Sequence, residues 1–169
     1  MKNMKKKYMM FILIALIIAS GFFLLTREKA PELNIVIGDK TISVDSEYIY
    51  SHSDVETFPS VVRSSGQKPV ETEYTGIELS KLFQELGVEP GEKITLNAED
   101  GYRIVISREE IDEPRNVYLT FARDGEYMLS RKKGGNGPYQ LVIRRDPFSQ
   151  RWIKHVDEII TVPAEGADD

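Results

Sequence analysis

Three short stretches of the chain carry groups suited to chemistry. Arg63-Ser64-Ser65-Gly66 sets a guanidinium beside two hydroxyls on a polar loop. Lys132-Lys133-Gly134-Gly135-Asn136-Gly137-Pro138 offers consecutive glycines, whose backbone N–H groups can approach an anion closely, next to lysines that favour phosphate. Arg144, Arg145, Arg151 and Lys154 gather positive charge around Trp152, a set able to hold an anionic ligand through charge-assisted hydrogen bonds. Each stretch also has a plain structural reading. The first two can be connections between elements, and the third a solvated face whose cations pair with carboxylates.

Several chemistries are argued against by spacing. Ser64 and Ser65 lack the Gly-x-Ser-x-Gly elbow that presents a hydrolase nucleophile. No Gly-Lys-Ser/Thr follows the glycines and no helix is predicted to begin there, so neither nucleotide fingerprint is satisfied. The two histidines, His52 and His155, match no metal-ligand spacing. Glu109, Glu110, Asp112 and Glu113 cluster at a predicted helix start, where carboxylates complement the helix dipole. The chain has no cysteine, which removes disulfides, thiolate metal sites and cysteine nucleophiles together.

The elements that must position these groups are short. Leu33 to Asp45 reads as two β-runs around Gly38-Asp39-Lys40, a hairpin signal. Ser53-Asp54-Val55-Glu56 has capping-box spacing and predicts a helix stopping before Pro59. Glu71 to Tyr74 reads as a brief strand. Ile77, Leu79, Leu82, Phe83 and Leu86 then recur at helical spacing, with Gly87 as the C-terminal cap. Lys93 to Asn97 and Tyr102 to Ser107 form a second predicted hairpin, and Ser107 to Glu110 a second capping box. Strands follow at Val117 to Ala122 and Leu141 to Arg145, with Asp124-Gly125 as a turn, and Trp152 to Val162 closes the domain. Many short strands with a few short helices predict an α+β domain.

Composition bounds the setting. Of 169 residues, 41% are hydrophobic and 29% charged, which fits one globular domain. Four lysines in the first seven residues precede an uncharged run from Tyr8 to Thr26. That pattern predicts a signal anchor or a cleaved signal peptide over residues 1–26, the domain lying outside the cytoplasm and tethered at the membrane if the segment is retained. A linker over 27–32, a domain over 33–163 and an acidic tail over 164–169 complete the expected organisation. Four of the 22 basic residues precede the run, leaving 18 against 27 acidic ones and a formal charge of −9 beyond it. Such a surface argues against nucleic acid and anionic lipid as partners.

One resemblance organises these pieces. Tyr74-Thr75-Gly76-Ile77-Glu78-Leu79-Ser80-Lys81-Leu82-Phe83 resembles a segment of the oxidoreductase molybdopterin-binding domain family, the sulfite oxidase-like fold. Leu86 to Gly91, Glu99-Asp100-Gly101-Tyr102, Gly137 to Ile143 and Trp152 to Val156 are similar to further family segments in the same order. The resemblance implies a β-rich α+β fold with a pterin cofactor against the polar loop, the glycine loop and the basic C-terminal segment. Arg63, Ser64, Ser65, Gly134, Gly135, Asn136, Gly137, Arg144 and Lys154 are then the expected lining.

The departures from the family pattern are as informative. The resemblance implies a metal-ligating cysteine on the loop before Tyr74, where this chain has Arg63-Ser64-Ser65-Gly66. A serine hydroxyl is a hard, high-pKa donor in place of a soft thiolate. Gln140 stands where the resemblance implies an arginine, and Gly135 or Asn136 where it implies a histidine. The expected function is therefore a module without standard molybdenum catalysis, binding a small anionic or pterin-like ligand or an envelope protein. The alternative is a molybdopterin-dependent oxidoreductase with an atypical metal site.

Overall fold

Period-two alternation lays down the first sheet of the computed structural model, which describes residues 30–163. β1 (Glu32–Ile37) and β2 (Lys40–Asp45) form the predicted hairpin, turning at Gly38 in the left-handed region (φ 56°). β5 (Pro90–Ala98) and β6 (Arg103–Ser107) form the second. Between them runs β10 (Val156–Pro163), parallel to β1 and antiparallel to β5, giving the order β2-β1-β10-β5-β6. Leu33, Ile35, Ile94, Leu96 and Ile159 point inward from this sheet and are fully buried. Glu32, expected in the linker, is the first residue of β1. The apolar run, residues 27–29 of the linker and the acidic tail lie outside the described residues. Among those described, no helix is long and apolar enough to cross a membrane.

The second sheet contains β3 (Val55–Val62), β4 (Val70–Glu78), β7 (Val117–Arg123), β8 (Glu126–Tyr127) and β9 (Gln140–Ile143). β3 pairs with β4 and β4 with β7, while β9 and β8 pair in turn along the length of β7. Six of the seven residues of β7 are buried, as befits a strand covered on both faces. Phe58, Tyr74 and Tyr118 share one face, with the Phe58 ring 4.2 Å from Tyr118 and 6.4 Å from Tyr74. Trp152 packs edge-on against Tyr74 at 5.9 Å. Of these rings, Trp152 lines the site described below and Phe58 lies under the Arg144 guanidinium there.

The helices are short and well capped. α1 (Ser46–Tyr50) starts at Asp45, whose side chain accepts the Tyr48 N–H at 2.8 Å. α2 (Leu79–Glu85) buries Leu79, Leu82 and Phe83 and ends in a Schellman motif. There Val88 donates to the Phe83 carbonyl, Gly87 donates to that of Gln84, and Gly87 is left-handed (φ 64°). α3 (Arg108–Asp112) has the predicted capping box, with Ser107 and Glu110 bonded in both directions.

The helix expected from Ser53-Asp54-Val55-Glu56 is absent. Those residues lead into β3, and the helix of this region lies earlier, on the Asp45 cap. Val55, Thr57 and Phe58 favour a pleated surface, and Glu56 gains a partner there, accepting the Tyr118 hydroxyl at 2.5 Å. Pro59 is tolerated within β3 because the strand lies at the sheet edge. Ile77, counted on the helical face, instead ends its life as a buried strand residue of β4 opposite Val55.

A candidate anion-binding cleft

Two turns supply most of the cations, and buried polar side chains set both. Asn116, only 2% exposed, stands at the entry to β7. Its carbonyl accepts the Arg144 N–H at 2.8 Å and its side-chain oxygen the Arg145 N–H at 3.1 Å. Its side-chain amide donates to the Glu110 carbonyl at 3.0 Å. One residue thus fixes the turn after β9 and ties it to α3. Beside it, Arg115 is left-handed (φ 57°), a conformation that L-residues adopt rarely. Its N–H donates to the carboxylate of Glu78, which is 6% exposed at the end of β4.

A third wall comes from the loop after β3. The Arg63 N–H donates to the Ser149 hydroxyl at 2.9 Å, and the Ser149 N–H donates to the Arg63 carbonyl at 3.1 Å. This reciprocal pair clips the polar loop to the short turn before Trp152. Trp152 is buried, and its indole N–H is already committed to the Ile143 carbonyl at 3.0 Å.

Together these segments enclose an open cleft of about 460 Å³, lined by Pro59, Val61, Trp152, Arg63, Arg115 and Arg144, with Ser60, Pro114, Arg145 and Asp146 completing it. The Arg144 guanidinium lies over the Phe58 ring, 5.0 Å from its centroid, which holds it in place without neutralising it. Arg145 is paired with Glu113. Arg151 is consumed structurally, bonding to Asp146 and, at 2.7 Å, to Glu110. Arg151 holds the Glu110 carboxyl below its usual range, overcoming the opposing effect of burial. Arg63, Arg115 and Arg144 have no ion-pair partner among the described residues.

Below the cleft, the Tyr118 hydroxyl is pushed well above its ordinary range, first by burial and then by its hydrogen bond to Glu56. It is a fixed donor at any physiological pH and a structural one.

Of the residues expected from the sequence, Arg63 and Arg144 meet in this cleft. Ser64 and Ser65 are exposed on the same loop and do not line it. Lys154 is exposed and lies outside it, bridging in backbone register to Gln140. The glycine loop also stands elsewhere and is occupied by its own chain. Gly134 donates to Arg131, Gly135 to Ser130 and Gly137 to Leu129. A Cβ on Gly135 would sit 2.1 Å from the Leu129 carbonyl oxygen, and one on Gly137 2.4 Å from that of Met128. Close packing against the chain accounts for Gly135 and Gly137 and a left-handed backbone (φ 77°) for Gly134, and their amides do not form a free anion nest. His155 clamps the loop, its N–H donating to the Asn136 carbonyl and its Nδ1 lying 3.0 Å from the Gly137 carbonyl.

Arg115, Asn116 and Glu78 are functional or positioning residues that sequence reasoning missed. Their only signal is that Pro114-Arg115-Asn116 reads as a turn before an apolar run, which any surface turn would share. No protein-family model matches the chain, and comparison with curated proteins gives no match.

Proposed function

We propose that the chain is a membrane-tethered, extracytoplasmic anion-binding module, built on a fold of the sulfite oxidase-like molybdopterin-binding type and working without standard molybdenum chemistry. One observation carries the binding assignment. In a protein of net negative charge, three guanidiniums without acidic partners converge on one cleft. Guanidiniums gathered in one cleft without carboxylate partners raise the local positive potential, which draws an anion to it. The apolar wall of Pro59, Val61 and Trp152 fits a ligand that joins a multiply charged oxyanion to an organic body.

The donors present do not fit a thiolate-bound molybdenum centre. The loop that the family resemblance assigns to the metal offers two exposed hydroxyls, and the chain has no cysteine to supply the thiolate. Gln140, in place of the expected arginine, is buried. The glycine-loop amides that would face a pterin phosphate are bonded within the chain.

Calorimetry with pyrophosphate on the detergent-solubilised full chain tests the assignment. We expect one site per chain. In the double variant Arg63→Gln with Arg144→Gln, affinity falls about tenfold or more, from the loss of charge-assisted hydrogen bonds worth roughly 1.5–3 kcal/mol each. Equal affinity in the variant overturns the site. Stoichiometric molybdenum with an extractable pterin, in protein from the native host, overturns the non-molybdenum reading. A Ser65→Cys variant that gains molybdenum would show that the scaffold keeps a cofactor pocket and lacks only the ligand.

A further inference from the structure

The end of the domain at which the chain enters β1 carries exposed apolar side chains beside cations. Glu32 pairs with Asp45, and Asp45 caps α1. Tyr50, the last residue of α1, stacks on Tyr127 at 5.1 Å and lies tilted against Phe121 at 4.4 Å. From Tyr127 the chain passes through Met128 and Leu129 into the 3-10 turn Arg131–Lys133. Tyr127 is 64% exposed and Leu129 56% exposed.

These side chains are displayed on fixed backbone. Met128 donates to the Phe121 carbonyl, the Leu129 carbonyl accepts Gly137, and the glycine loop packs so closely on Leu129 that a Cβ on Gly135 would overlap it. The backbone of Leu129 is thereby held in place, with its side chain exposed. Arg131 and Lys132 are exposed beside it, with no ion-pair partner among the described residues. An aromatic and an aliphatic side chain next to two cations is the composition of an interfacial membrane contact, in which apolar groups enter the headgroup boundary and cations meet lipid phosphates.

Chain connectivity points to the same occupant. Only residues 27–31 separate the apolar run from Glu32, a span of about 18 Å at full extension. If the run is held in a bilayer, as the proposed function has it, this end of the domain is kept within reach of the lipid surface. We infer that Tyr127, Leu129, Arg131 and Lys132 rest on that surface, orienting the domain upon its tether. The inference rests on the tethered reading. Glu32, Asp45, Glu47 and Glu126 are also exposed near this end, so the contact depends on apolar insertion more than on net charge. It should accordingly survive physiological salt.

The absence of cysteine makes the test clean, because one introduced thiol takes one probe. Leu129→Cys and, as a control on the outer face of β6, Val105→Cys are labelled in the full chain with a polarity-sensitive fluorophore. The chains are reconstituted in vesicles of phosphatidylcholine and phosphatidylglycerol. We expect co-flotation of both, with a blue shift and loss of aqueous iodide quenching at position 129 only. Co-flotation with both probes reporting water overturns the surface contact while leaving the tether intact. Failure to co-float overturns the tethered reading, and this inference with it. A shift at position 129 in native membranes but not in pure lipid assigns the patch to a protein partner instead and overturns the lipid contact.

Discussion

Asp157 and Glu110 respond to acid in opposite senses. Asp157 lies where β10 shifts register between Val156 and Glu158, beside Glu158 and near Glu99 and Asp100. Burial, then those neighbouring charges, raise its carboxyl above the usual range. A raised folded-state pKa means that the native state prefers the proton. The associated stability is full below the unfolded value of about 3.9 and is lost as pH rises through the folded pKa. Asp157→Asn should therefore raise the midpoint of thermal unfolding at neutral pH and flatten its dependence on mild acid. Glu110 is lowered by Arg151, so its contribution is present above the unfolded value of about 4.3 and is lost as pH falls through the folded pKa. Glu110→Gln keeps the capping box but breaks the charge pair with Arg151. It should lower the midpoint at neutral pH and blunt the fall in acid, in contrast to Asp157→Asn. Asn116→Ala leaves the Arg145 N–H and the Glu110 carbonyl without their partner, at a cost of about 2–4 kcal/mol in denaturant unfolding. Because the turn it holds positions Arg144, pyrophosphate affinity should fall as well.

At the scale of elements, the glycine loop is the sharpest case. Gly135→Ala forces a methyl into the Leu129 carbonyl, and displacing that backbone should cost on the order of 1–3 kcal/mol with little effect on pyrophosphate binding. A loop that bound the anion would show the reverse pattern, intact stability with lost affinity. Much of the element plan was legible because its signals are local. The Gly38 and Gly101 hairpins, the Ser107 capping box and the Gly87 cap each depend on residues within a few positions of one another. The Ser53–Glu56 signal was equally local and was overridden by pairing with β4 and by the Tyr118 hydroxyl, 62 residues away, which no local pattern reports. The site divides in the same way. Arg63 and Arg144 stood out by composition, whereas Arg115 is held beside them by long-range bonds, to Glu78, 37 residues earlier, and to the Arg144 guanidinium. Arg151 looked like a ligand group until Asp146 and Glu110 were seen to claim it.

For the molecule as a whole, the first described strand and the last are direct neighbours, β1 lying parallel to β10. Sheet order puts β10 at the centre, so each hairpin of this sheet meets the other only through it. Deleting residues from Val156 onward should abolish cooperative unfolding and leave a protease-sensitive chain. This arrangement also sets a timetable. A chain emerging from the ribosome or a translocation pore makes β1, β2, β5 and β6 well before the strand that joins them. The two hairpins must wait, exposed and unpaired on one side, until residues 156–163 have cleared the exit. The first sheet of such a protein is kept open by its own strand order and closes only once its last strand is free to enter.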